Sequence, residues 1–359
     1  MAYIVYLSFS ALVFYLFRRE GLFCKKFWLD TCLCFPVLFF YVFLIGGQYG
    51  VGTDYHNYYE MFLPNSELRF QETHGEYGWI FLIRFFQLLG IQGQGIFVAI
   101  AAITGLVLFY SARMASNRQN LYICWFVFIT CSPIFHNQMN GVRQALASFL
   151  GSLAILFWFN DKRFFATLLF LISPTIHRSY IFFLVIIVLF LWISSKRNGT
   201  CFLISVLLLS IPVSYISMNS VIELGASAFP QFAYFVERER WLIPISFMNR
   251  MTRYAFVPVV LWAIMLRPKM RLTDLQNKLF NIGVLLFSFR IFSLSAGLFF
   301  RIGWGCEILM YIPVAHLLQC RFFAQRQLLA FFLFLYYLLK VTFFAAGEYS
   351  YTSCISLLV

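Results

Sequence analysis

The chain has 359 residues, of which 62% are hydrophobic, 21% aromatic and 11% charged, whereas a soluble domain is nearer half apolar and a quarter charged. Those proportions exclude a soluble enzyme and predict an all-α polytopic membrane protein, because a backbone in lipid must pair its N–H and C=O groups internally. The net charge of +13 points to membrane topology and not to a nucleic-acid partner, since the basic residues sit at helix ends and form no basic domain. Nine cysteines at irregular positions show no CxxC pair and no disulfide framework.

In chain order, the opening run MAYIVYLSFSALVFYLFRRE carries its charges after the apolar stretch. It reads as a first span, 2–17, and not as a removable signal peptide. Further spans are expected near 28–46, 94–112, 121–138, 143–159, 164–177, 179–195, 200–217, 254–267, 279–296, 302–320 and 327–344, about twelve in all. The stretch 77–91, YGWIFLIRFFQLLGI, is apolar but short and holds Arg84 at its middle. It is expected to lie along the membrane surface or to re-enter. The whole chain, 1–359, then forms a single transmembrane domain whose long outer loops are 47–76 and 218–253.

This division makes a testable pattern. One side of the membrane receives the loops with Arg18, Arg19, Lys25 and Lys26; Arg113 and Arg118; Lys162 and Arg163; Lys196 and Arg197; Arg267, Lys269, Arg271 and Lys278; and Arg321 and Arg326. Every one of these loops is basic, which marks the cytoplasmic side. Counting 77–91 as a span would set the first loop against the rest. Both termini and both long loops therefore face outward. The sequon at Asn198 falls on the cytoplasmic side and is discounted.

The basic residues left over are Arg69, Arg84, Arg143, Arg178, Arg238, Arg240, Arg250, Arg253, Arg290, Arg301 and Lys340. Arg143, Arg178, Arg290 and Arg301 fall within or at the outer ends of spans. A charge there costs a few kcal/mol on insertion scales and marks a cavity or substrate path. Arg69, Arg238 and Arg240 have acidic neighbours and read as surface ion pairs. Most of the 14 acidic residues are also on the outer side, so the chemistry is expected there. Arginine forks pair with phosphate; Arg290 and Arg301 share a face if their helix continues past Gly297, and Arg250 and Arg253 share one by their spacing of three.

The first outer loop reads GGQYGVGTDYHNYYEMF. No Lys-Ser/Thr follows its glycines, so it is not a phosphate-cradling loop. Asp54 among Tyr55, His56, Asn57, Tyr58 and Tyr59 has the texture of a sugar site or of an interfacial aromatic belt. His136 and His177 stand at outer helix ends without partners at metal-ligand spacing. Each is a general base, a donor to phosphate or a polar helix end. The segment HNQMNGVRQALAS, 136–148, reads as an outer turn between two spans, its polar groups met by water and headgroups. Arg143 there opens an inward-going helix at the positive end of the dipole, an arrangement suited to an anion.

Taken in order, these pieces resemble the Wzy-type O-antigen and exopolysaccharide polymerases, in particular their EpsG-like branch. The resemblance rests on Gly52-Thr53-Asp54-Tyr55-His56-Asn57-Tyr58 in the first outer loop and on Glu76 opening EYGWIFLIRFF. It continues with Arg143-Gln144-Ala145-Leu146-Ala147 at a span start, His177-Arg178-Ser179 at a later outer end, and Arg301 in FFRIGWGCEILMYIPVA. A Tyr is usual near the last Arg, where this chain has Trp304. The resemblance implies a GT-C-like helical bundle in the bacterial cytoplasmic (inner) membrane, active on its periplasmic face. It implies transfer of an undecaprenyl-diphosphate-linked glycan onto the terminal sugar of a lipid-linked repeat unit, without cofactor or metal. A flippase and a chain-length regulator would be its partners. Arg143, Arg178 and Arg290 or Arg301 are then expected at the diphosphate, with Arg250, Arg253, Tyr58 and His136 as further substrate contacts. Asp54 and His177 are expected to orient or deprotonate the acceptor. Arg143→Ala is expected to abolish long chains at unchanged protein abundance.

Two other readings compete. A membrane glycosyltransferase using a polyprenyl-monophosphate sugar often has adjacent acids and a metal, whereas the nearest acid to Asp54 in sequence is Glu60. A transporter or flippase for lipid-linked sugars needs polar residues across the whole bilayer, whereas the span-interior charges here lie toward one face.

Overall fold

The structure is a computed structural model that describes residues 1–19, 27–116, 120–196, 199–216, 227, 245–295, 297–305, 307–320, 324–344 and 350–354. Among these residues the fold is all-helical and contains no named strand. Chain contacts group them into two compact units, Met1–Arg178 with Ala324–Val359, and Ser179–Phe323.

The first unit contains α1 (Ala2–Arg19), α2 (Phe27–Leu33), α3 (Phe35–Gly46), α4 (Tyr55–Met61), α5 (Arg69–Thr73), α6 (Tyr77–Leu88), α7 (Gln94–Ala115), α8 (Leu121–Cys131), α9 (Ile134–Asn137), α10 (Val142–Phe159) and α11 (Arg163–Ile176). The second contains α12 (Tyr180–Ser194), α13 (Thr200–Val213), α14 (Phe247–Tyr254), α15 (Val257–Leu266), α16 (Asp274–Phe292), α17 (Gly297–Ile302), α18 (Glu307–Met310) and α19 (Ile312–Gln319). Helix α20 (Arg326–Leu339) returns to the first unit.

Five described helices are long and apolar enough to cross a membrane: α1, α7, α10, α16 with its 3-10 extension to Ser295, and α20 with its extension to Phe343. Helices α3, α6, α8, α11, α12 and α13 are shorter and apolar. Several expected spans are broken, and proline marks the breaks. The stretch 28–46 divides into α2 and α3 with Pro36 in the first turn of α3. In 121–138, Pro133 caps α9. In 302–320, Pro313 opens α19. Proline has no N–H to give the preceding turn and is tolerated at a helix start. By contrast α16 has a full capping box: Thr273 Oγ1 accepts from the Gln276 N–H at 3.3 Å, and Gln276 Oε1 accepts from the Thr273 N–H at 2.9 Å.

Helix α6 confirms a helix in 77–91. Its 12 residues span about 18 Å at 1.5 Å each, short of a hydrocarbon core of about 30 Å. Trp79, Ile83 and Phe86 are buried, while Tyr77, Phe81, Phe85 and Leu88 are exposed. Arg84 is held along the loop, donating to the Ser66 carbonyl and to Gln87 Oε1, each at 2.8 Å. Gly78 lets α6 lie directly on Thr175 of α11, where a Cβ would collide with that side chain.

The long segment 47–76 is itself built. Gln94 on α7 donates to the carbonyls of Gly46 at 2.6 Å and Gln48 at 2.8 Å, and accepts from the Tyr55 hydroxyl at 2.7 Å. A bridge joins Gln48 to Ser353. The other long outer segment, 218–253, is described only at Ser227 and from Ile245 onward; Arg238, Arg240 and Asn198 lie outside the described residues.

The expectation for HNQMNG is corrected. His136, Asn137, Gln138 and Met139 are 2%, 8%, 3% and 0% exposed, so this stretch is packed within the protein and does not face water and headgroups. Gln138 accepts from the Tyr41 hydroxyl at 2.5 Å and donates to the Phe135 carbonyl at 2.8 Å. The Met139 carbonyl accepts from Gln48 Nε2 at 3.2 Å. Buried polar groups need such partners, and the turn works as a hub between α3, the first outer segment and α10.

Candidate functional site

The site in the first unit begins with one turn. Gly52 has φ +85°, and a Cβ there would lie 2.9 Å from the Asn140 Cβ. Glycine is therefore required both by conformation and by space. The turn brings Asn140 Oδ1 to the Asp54 N–H at 2.7 Å and to the Thr53 hydroxyl at 3.3 Å. Asp54 thus stands at the start of α4 with its carboxylate directed by a fixed backbone. Gly52→Ala is expected to destabilise the protein by about 1–3 kcal/mol, the cost of a disfavoured backbone, which the melting temperature checks.

The centre of the site is Glu76, at the N-terminus of α6 and 3% exposed. Its Oε2 forms an ion pair with Arg143 Nη1 at the start of α10. Its Oε1 lies 3.1 Å from His177 Nδ1 and accepts from the Arg178 backbone N–H at 3.2 Å. An ionised carboxylate only accepts, so Nδ1 of His177 carries the donated proton. Burial pushes the Glu76 carboxyl up, but the His177 hydrogen bond, the Arg143 and His177 charges and the Arg178 N–H outweigh it and hold it below 4.5. Arg143 also donates through Nε to the Tyr58 hydroxyl at 3.4 Å, with its guanidinium 5.7 Å from the Tyr58 ring centre. Four sequence candidates, Tyr58, Arg143, His177 and Arg178, are gathered around one carboxylate.

A cavity of about 500 Å³ opens beside this cluster, and its lining includes Asp54, Tyr58, Glu60, Glu67, Gln71 and Arg143. Asp54 and Arg143 thus share a surface. Glu60, Glu67, Gln71 and Asn140 were not singled out from sequence. Glu60 follows Asp54 by six positions and shows no pairing signal, and Asn140 is marked only by the Gly141 that follows it.

The remaining candidates have other surroundings. His136 is not in that lining; its ring packs 4.7 Å from Tyr3 and 5.6 Å from Tyr337 by centroids. In the second unit, α16 stops at Phe292 and a 3-10 turn, Ser293–Ser295, precedes α17, so Arg290 and Arg301 do not share one continuous helix. Arg290 is 0% exposed, while Arg301 is exposed. Arg290 donates Nη1 to the Phe300 carbonyl, lies 4.0 Å from the Phe300 ring centre and faces Glu307 at 3.7 Å. Arg250 and Arg253 are both 7% exposed, as their shared face requires. Arg250 donates to the carbonyls of Ile245 at 2.9 Å and Ser214 at 3.0 Å. Arg253 Nε has no hydrogen-bond partner among the described residues. Arg69 pairs with Glu67 at 3.4 Å on the surface, as expected.

An all-helical, apolar chain with a polar cavity lined by α4, α5, the loop between them and the start of α10 belongs to the multi-pass membrane proteins. The EpsG family model matches residues 31–356, and the chain belongs to the EpsG family. That family is one of glycosyltransferase-like polymerases of exopolysaccharide biosynthesis. No curated protein and no solved structure matches the chain.

Proposed function

We propose that this protein polymerises a surface polysaccharide by moving a growing glycan from undecaprenyl diphosphate onto the terminal sugar of a lipid-linked repeat unit. The reaction takes place at the outer face of the cytoplasmic membrane, in a chain of about twelve spans with both termini outside. The basic loops support that orientation. The observation that carries the reading is the cavity in which Asp54 and Arg143 meet, backed by buried Glu76.

In this reading the acceptor sugar occupies the cavity. Tyr58 and Phe70 offer ring faces and Asn57 and Gln71 offer amides. The acceptor hydroxyl attacks the anomeric carbon of the donor, the bond from that carbon to the diphosphate oxygen breaks, and undecaprenyl diphosphate leaves as an anion. Asp54 takes the hydroxyl proton. His177 is a weaker choice of base because it is not among the residues that line the cavity; its Nδ1–H on Glu76 helps to hold the carboxylate that Arg143 and the Arg178 backbone N–H share. Arg178, whose backbone N–H is held by Glu76, is the first unit's candidate for the leaving diphosphate, whose charge a guanidinium stabilises. Arg250 and Arg290, tied to backbone carbonyls, act in the second unit as structural arginines.

Deleting the gene is expected to leave single capped repeats in place of a long ladder. Loss of one sugar from every repeat would instead indicate a single-sugar glycosyltransferase, and repeats stranded on the inner leaflet a flippase. Asp54→Asn is expected to reduce polymerisation by about 10² to 10⁴, the usual contribution of a general base, at normal abundance, because Asn140 holds the Asp54 backbone and not its carboxylate. A full-length ladder from Asp54→Asn would remove Asp54 from the chemistry.

A further inference from the structure

The lining of the cavity carries more chemistry than a generic sugar site requires. Asp54, Glu60 and Glu67 contribute three carboxylates, and Arg143 is the cation among the lining residues. The Arg143 charge is already engaged by Glu76. Arg69 faces Glu67 from the surface, and Arg84 lies near the rim through its bond to the Ser66 carbonyl; neither is in the lining. Gln71, 1% exposed, lines the cavity, and among the described residues its amide donates to the Met61 sulfur, at 3.4 Å. A buried amide with so weak a partner is a ready contact for a sugar hydroxyl.

We infer that the acceptor sugar bound in this cavity is a neutral or amino sugar and that sugars bearing a carboxylate are excluded. The inference rests on the proposed polymerase reading and adds the charge class of its acceptor. In a cavity of about 500 Å³ a ligand carboxylate lies within a screening length of the lining, about 8 Å at physiological salt. Among the described residues that line the cavity it meets three carboxylates, and the cation there, Arg143, is already paired with Glu76. Such juxtaposition is a recognised means of rejecting a wrong partner. Hydroxyl and ammonium groups, in contrast, donate to the same carboxylates. The diphosphate of the donor is equally ill-suited to this lining, which assigns the cavity to the acceptor end.

Linkage analysis tests this. The deletion strain's single repeat is compared with the wild-type polymer, and the residue that gains a substituent on polymerisation is the acceptor. A neutral or amino sugar is expected there; a uronic acid or other carboxylated sugar overturns the inference while leaving the polymerase reading intact. A ladder unchanged by deletion overturns the polymerase reading and the inference with it. A second measurement uses the purified full chain in lipid nanodiscs with methyl glucoside and methyl glucuronide as probes, read by saturation-transfer NMR. The glucoside signal is expected to exceed the glucuronide signal several-fold, with the gap narrowing in 1 M salt and in Glu60→Gln. Equal signals in low salt overturn the inference.

Discussion

Glu76→Ala is expected to be the most damaging single substitution in the first unit, abolishing long polysaccharide chains and lowering stability by about 3–5 kcal/mol, as for removal of one member of a buried ion pair. The size follows from what is left behind. Arg143 and Glu76 have side chains 14% and 4% exposed, and without the carboxylate the guanidinium keeps only the Tyr58 hydroxyl and ring as partners. His177 and the Arg178 N–H lose their acceptor at the same time. Arg143→Ala is therefore expected to lower abundance as well as polymer length, contrary to the expectation from sequence, because it strands a buried carboxylate. Glu76→Gln separates charge from shape: it retains an acceptor for the Arg178 N–H but loses the ion pair. Thermal unfolding of the purified protein and the polysaccharide ladder are the two readouts. A pH series sharpens the first. The folded carboxyl is held below 4.5, its ordinary value, so the stabilisation is present above that value and is lost as pH falls through the lower, folded one. The difference in melting temperature between the wild type and Glu76→Gln should shrink as pH falls below about 4.5. A difference that grows on acidification would contradict the charge assignment.

Asp30→Ala is expected to be nearly as costly and to act far from the cavity. Asp30 Oδ2 lies 2.6 Å from Arg113 Nε, with side chains 0% and 9% exposed. Breaking this pair leaves the Arg113 charge buried, again at about 3–5 kcal/mol. Protein abundance and melting temperature should fall together. Replacing both members with apolar residues of similar size, Asp30→Leu with Arg113→Met, is expected to restore much of the loss, because the uncompensated charge then disappears. If the double variant were no better than Asp30→Ala, the pair would be needed for something beyond charge balance. Arg113 belongs to one of the basic loops on which the expected orientation rests, and within the fold Asp30 pairs with it.

The residues that sequence made legible are those whose signal is local. Apolar runs and the short amphipathic stretch around Arg84 marked where helices form, because hydrocarbon burial acts within a turn or two, whereas the spans expected at 28–46, 121–138 and 302–320 ran through Pro36, Pro133 and Pro313, where the structure breaks them. Gly52 with Asp54, Arg143, and His177 with Arg178 were legible as polar residues at helix ends in an otherwise greasy chain. Tertiary structure decided their partners. Glu76 is 67 positions from Arg143 and 101 from His177, and Asp54 is 86 from Asn140. No periodicity spans such distances. The same limit misled the reading of HNQMNG: a polar turn between apolar runs looks alike whether water or protein satisfies it, and only the packing of α3, α7 and α10 around it placed it inside. The sequence by itself determined that this is a helical membrane protein with its acidic residues gathered in a few polar segments. The fold decided which acids are buried as counter-ions, Glu76 and Asp30 among them, and which line a cavity, because burial and pairing depend on neighbours that the chain brings together from far apart.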